Sequence, residues 1–157
     1  MTLSLRRASE DDCAVIWRWR NDRRIRKNFL NIRVISWKEH KRWFASLNDI
    51  RDRVYMVRKG RVRIGLIRFS VKRSHVGVSV NLNPRYLGKG FGESVIRQGT
   101  KKFCQEMMTD KPIRAQIKKD NTASCKSFLR AGYIPAASRL RGGPGLSEYI
   151  FRKSRRP

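Results

Sequence analysis

Acidic residues are scarce in this chain. Only 12 Asp and Glu stand against 38 Lys and Arg in 157 residues, a formal net charge of +26. Such a field draws anions of many kinds: nucleic acid, an acidic membrane, a nucleotide cofactor or a nucleotide-linked substrate. It names none of them, because the basic residues run along the whole chain and form no terminal tail. Histidine is nearly absent. His40 and His75 are too few and too far apart to predict a metal site, and Cys13, Cys104 and Cys125 form no CxxC pair. No apolar run approaches the roughly 18 residues a spanning helix needs. The opening "MTLSLRRASEDD" has no apolar core of a signal peptide, so the expectation is a reduced, cytoplasmic protein. Repeats and low-complexity linkers are also missing. A hydrophobic share of 39% suffices for a core, and the length predicts one domain over residues 1–157.

Short strand patterns alternate with helical ones, which predicts an α/β fold. "LSLRRA" reads as a strand. Ser9 with Asp12, and Ser36 with Glu39, have capping-box spacing before helical stretches. In the second of these, Trp37, His40, Trp43, Phe44 and Leu47 share a stripe. "DRVYMVRKGRVRIGLIRFSV" reads as two strands about a turn at Lys59–Gly60. "VGVSVNLNP" alternates Val76, Val78, Val80 and Leu82 up to Pro84. Val95, Ile96, Gly99, Phe103 and Met107 then mark one helix face. "IRAQI", "TASCKSFLRAG" and "SEYIF" read as strand, helix and strand, with Gly142 to Gly145 looping before the last.

The distinctive stretch is "RYLGKGFG", Arg85 to Gly92, between a strand and a helix. Bare backbone at a helix N-terminus suits phosphate oxygens. A dinucleotide fingerprint would need glycine where Glu93 stands, and a Walker A loop would need Ser or Thr where Gly90 follows Lys89. Arg85-Tyr86-Leu87-Gly88-Lys89-Gly90 instead reads R-x-x-G-x-G. It is followed by "NTASCKSFLRAGY", in which Asn121, Ser124, Gly132 and Tyr133 fit N-x-x-A/S and then G-F/Y.

These two motifs, and the order of elements along nearly the whole chain, resemble the GNAT acetyltransferases. The resemblance implies a mixed, mostly antiparallel central sheet, flanked by helices and splayed between its fourth and fifth strands. It implies acetyl-CoA as the cosubstrate. The pantetheine arm would meet main-chain groups of Val80, Asn81 and Leu82, and the pyrophosphate would meet Arg85 and the amides of Leu87, Gly88, Lys89, Gly90, Phe91 and Gly92. Asn121, Ser124 and Phe128 would line the arm. An amide near Asn81 or Leu82 would stabilise the oxyanion.

Two departures stand out. Many members carry a tyrosine, seven residues after the Asn, that protonates the leaving thiolate; here that position is Phe128. The ribosomal-protein acetyltransferases carry a glutamate base five residues before the Asn; here it is Gln116. His40 is therefore the leading candidate base and Glu39 the second. The stretches Trp19–Asp22 and Glu39–Phe44 resemble the branch that acetylates nucleotide-linked amino sugars, of the pseudaminic acid pathway type. Trp19, Arg20, Asn21, Arg33 and Trp43 would then bind the acceptor, with Arg18 also suited to its phosphates. The alternatives are a protein Nα-acetyltransferase and, on charge alone, a nucleic-acid-binding domain. Oligomeric state, a homodimer included, is left open.

Overall fold

Alternating apolar residues and capped helices place a seven-stranded sheet between two helical layers in the computed structural model, which describes residues 2–47, 50–137 and 144–153. Strand β1 (Ser4–Arg7) leads to α1 (Glu10–Asn21), where the Ser9 N–H donates to the Asp12 carboxylate at 3.0 Å. A short α2 (Arg23–Arg26) follows, then α3 (Trp37–Ala45), where Ser36 Oγ accepts from the Glu39 N–H at 3.2 Å. Strands β2 (Asp52–Lys59), β3 (Val62–Val71) and β4 (Val76–Leu82) form an antiparallel meander. A 3₁₀ turn (Pro84–Tyr86) and α4 (Phe91–Glu106) carry the chain to β5 (Ile113–Lys118), α5 (Thr122–Arg130), β6 (Ile134–Pro135) and β7 (Leu146–Phe151).

The strand order is β1-β2-β3-β4-β5-β7-β6, antiparallel throughout except for β4 beside β5. That is the expected mixed, mostly antiparallel sheet. Period-2 alternation sends Tyr55, Val57, Ile67 and Phe69 to one face, against Val95, Ile96 and Phe103 of α4. Val54, Met56 and Leu66 go to the other face, against Ile16 and Trp19 of α1. The expected loop at Gly142 to Gly145 lies partly outside the described residues; Pro144 and Gly145 form a turn into β7.

Candidate active site

The sheet divides where β4 meets β5. The two strands pair only at Val76–Ile113 and Gly77–Arg114, and beyond that they separate. The β3–β4 ladder decides which main-chain groups face the gap. Lys72 N–H donates to His75 O at 2.8 Å and Asn83 N–H to Ile64 O at 2.7 Å. In the unbroken register between them, Gly77, Ser79 and Asn81 form the bonded pairs with β3. Val78, Val80 and Leu82 turn their N–H and C=O groups into the gap. The main chain of Asn81 therefore faces β3, not a cofactor arm as its sequence position suggested. Of the two amides considered for an oxyanion, that of Leu82 faces the gap.

The glycine loop closes one end of this gap. Asn83 Oδ1 accepts from the Arg85 N–H at 3.1 Å and starts the 3₁₀ turn. Gly88 and Gly90 take φ of +72° and +79°, and a Cβ on either would meet nothing within 4 Å. Left-handed backbone, not space, is what these positions require. Gly90 caps α4 and has no side chain to bond its first amides. Those of Phe91 and Gly92 are thus left at the positive end of a 16-residue helix, beside exposed Arg85 and Lys89. This arrangement fits a pyrophosphate. Asn121 caps α5, its Oδ1 accepting from the Ser124 N–H at 3.3 Å.

On the α1–α3 side of β4 lies a cavity of ≈ 300 Å³. Its outer wall is the irregular stretch 29–35, where Phe29, Asn31, Arg33 and Ile35 line the cavity. The alternate residues Leu30, Ile32 and Val34 are exposed. Asn21 secures this wall. Its side-chain amide donates to Ile35 O and accepts from Ile35 N–H, each at 2.8 Å, while Trp17 Nε1 donates to the same carbonyl at 2.7 Å.

Three arginines converge on the cavity. The Arg20 guanidinium lies 4.1 Å from the Phe29 ring centre and that of Arg68 5.3 Å from Trp43, so aromatic faces hold both in place. Arg68 Nη2 also donates to Asp52 at 3.0 Å. Arg33 forms a two-pronged ion pair with Glu39. That hydrogen bond draws the Glu39 pKa below its ordinary value. Among the described residues, three buried lining atoms have no hydrogen-bond partner: Arg20 Nη1, Arg68 Nε and Asn81 Oδ1.

His40 also lines the cavity and is buried, 3% exposed. Its Nε2 lies 2.9 Å from Cys13 O. A carbonyl only accepts, so Nε2 carries the proton and the neutral ring keeps a lone pair on Nδ1. Burial holds the imidazole pKa below its ordinary value, against the Cys13 bond that favours the charged ring.

Several expectations need correction. Trp19 is 6% exposed within the α1 core and does not line the cavity. Asn21 is occupied by the backbone of Ile35. Phe128 is 3% exposed and packs edge-on against Tyr133 in the core. The second candidate base, Glu39, is held by Arg33. Arg18 is exposed and outside the cavity lining. Arg20, Arg33 and Trp43 do come together there. Arg68, Phe29 and Ser79 were missed. The signal for Arg68 was in the strand alternation, which puts it on the inward face with Leu66. Among the described residues, no cluster of three or more His, Cys, Asp or Glu is arranged to hold a metal. Among the same residues, no helix is long and apolar enough to cross a membrane.

Known proteins share this architecture. The acetyltransferase (GNAT) domain family matches residues 2–134. No curated protein matches the chain in sequence. Among solved structures, spermidine N-acetyltransferase from Vibrio cholerae, in complex with CoA and spermine, superposes with a TM-score of 0.78 at 16% identity, covering 94% of this chain and 92% of that one. An aminoglycoside acetyltransferase with coenzyme A and kanamycin gives 0.81 at 15% identity, covering 97% and 95%. The Salmonella typhimurium protein yncA, with its cofactor acetyl-CoA, gives 0.73 at 20% identity, covering 97% and 94%. With the split sheet, the glycine loop and a family match over most of its length, the chain belongs to the GNAT family of acetyl-CoA-dependent N-acetyltransferases.

Proposed function

We propose that this protein moves the acetyl group of acetyl-CoA to the primary amine of an acceptor that is anionic elsewhere, best met by a nucleotide-linked amino sugar. The observation that carries this reading is the cavity's charge. Arg20, Arg33 and Arg68 line it, Glu39 is paired with Arg33 and Asp52 with Arg68, and the balance is positive through Arg20. Spermine and kanamycin, present in two of the similar structures, are polycations, and such a lining would repel them. A diphosphate suits arginine forks, and the aromatic faces behind Arg20 and Arg68 keep the guanidinium planes oriented.

The geometry supports the following division of labour. Acetyl-CoA supplies the activated acetyl group. The amides around Gly90 hold the pyrophosphate, and Val80 and Leu82 offer main-chain groups to the pantetheine arm. Leu82 N–H is the oxyanion donor, aimed where charge develops. His40, neutral at physiological pH, takes the proton of the attacking amine at Nδ1, directly or through a water. Phe128 has no proton to give, so the thiolate leaves without a tyrosine acid.

Thiol release measured across UDP-linked amino sugars, N-terminal peptides, spermidine and kanamycin tests the reading. Turnover is expected with the nucleotide-linked amines. Turnover confined to peptides would replace it with a protein Nα-acetyltransferase. Efficient turnover of spermidine or kanamycin would overturn the anionic acceptor.

A further inference from the structure

Two of the three unpartnered buried atoms in the cavity are donors, Arg20 Nη1 and Arg68 Nε. The third, Asn81 Oδ1, is an acceptor on a side chain only 5% exposed. A buried amide oxygen without a partner is costly, so a ligand that supplies an N–H or O–H there recovers the loss. The backbone explains why this side chain lies on the acceptor side. Asn81 pairs with Leu66 of β3, and both side chains line the cavity, while the next residue, Leu82, points its amide into the split of the sheet. One peptide unit thus separates a side-chain acceptor on the cavity side from the proposed oxyanion donor on the other.

We infer that Asn81 is a specificity-determining residue whose side-chain carbonyl accepts a hydrogen bond from the acceptor's amine, holding the nucleophile beside Leu82 while Arg20 and Arg68 take an anionic group of the same molecule. The inference rests on the proposed anionic amine acceptor and adds the polarity of the pocket: donors for the anion, an acceptor for the amine. Among the described residues, Asn81 Oδ1 is the buried side-chain acceptor of this cavity without a hydrogen-bond partner.

The test compares a UDP-linked amino hexose with the same nucleotide sugar bearing a hydroxyl-free hydrogen in place of the amine, by calorimetry, in the wild type and in Asn81→Leu and Asn81→Asp. The wild type should prefer the amine by about tenfold, as expected for one buried hydrogen bond. Asn81→Leu should lose that preference yet bind UDP and CoA as before. Asn81→Asp, which keeps an acceptor oxygen, should retain it, and it carries the test if the leucine variant fails to fold. Preference for the amine that survives in Asn81→Leu, or is lost in a folded Asn81→Asp, overturns the role of Asn81. A wild type that binds CoA but neither nucleotide sugar overturns the anionic-acceptor reading itself, a result distinct from either.

Discussion

His40 uses one nitrogen to hold α3 to α1, and in the proposed mechanism the other takes the proton of the amine. Glutamine can keep the first function, since its side-chain N–H can donate to Cys13 O, but it cannot serve as a base. His40→Gln should therefore cut turnover by about 10²–10⁴-fold with little change in acetyl-CoA affinity or in melting temperature at pH 8. The same substitution has a signature in acid. The fold favours neutral His40, so its contribution is complete above the ordinary pKa of about 6.5 and is lost as pH falls through that value towards the lower folded one. Burial and Arg114 lower His75 in the same direction. His40→Gln should thus flatten, without abolishing, the fall in melting temperature between about pH 7 and pH 5. At Gly90, an aspartate would set a carboxylate against the pyrophosphate and should weaken CoA binding tenfold or more, about 1.4 kcal/mol, in calorimetry. Gly90 holds a φ of +79°, so any side chain there also strains the turn, and Gly90→Ala, which shares the strain without the charge, should lose much less CoA affinity. Residue types announced His40 and the glycine loop in the sequence. They did not announce that Glu39 is paired with Arg33, or that the tryptophan of the W-R-N-D stretch turns inward while its arginine reaches the cavity. Those depend on contacts between segments that adjoin only once α1 is docked.

At the scale of elements, the fit of α4 on the sheet is the tightest feature. A Cβ at Gly99 would stand 2.6 Å from Ile67 Cγ2 and 2.8 Å from its Cδ1. Gly99→Ala should cost about 1–3 kcal/mol despite the better helix propensity of alanine, because the core there has no spare volume. Chemical denaturation of the variant measures it, and Ile67→Val beside it should restore part of the loss. The helical stripe of α4 and the alternation of β2 to β5 were legible because each has one long apolar face and clear punctuation. Two elements were not. "RRIR" of α2 has a single apolar residue, Ile25, and β6 is two residues long, set by pairing with β7. Neither has a period to read. The cavity wall at 29–35 does alternate, with apolar Leu30, Ile32 and Val34 outward and Asn31 and Arg33 inward between Phe29 and Ile35. That is the reverse of an ordinary surface strand, and it has meaning only once the cavity exists.

Across the whole molecule, the few carboxylates are shared among many cations. Asp12 holds both Arg6 and Arg63, and Glu106 lies within 4 Å of Lys102, Arg7 and Arg53. What remains is a strong positive field, legible from composition, which acts on approach more than on the contacts of the bound state. Association of acetyl-CoA should slow by about tenfold or more between roughly 50 and 500 mM salt, as the Debye length shrinks, while dissociation changes little. Stopped-flow binding distinguishes this from a field of no consequence, which would leave the association rate flat. The two rungs between β4 and β5 carry a further consequence. Beyond Gly77 no rung joins β4 to β5: β1 to β4 lie on one side of the gap and β5 to β7 on the other, held together by the core they share beneath α4. In the proposed complex, an extended arm bearing amides, laid along Val78 to Leu82, would take the place of the absent strand. Loading with acetyl-CoA should then slow amide hydrogen exchange along β4 and β5, and discharge should restore it.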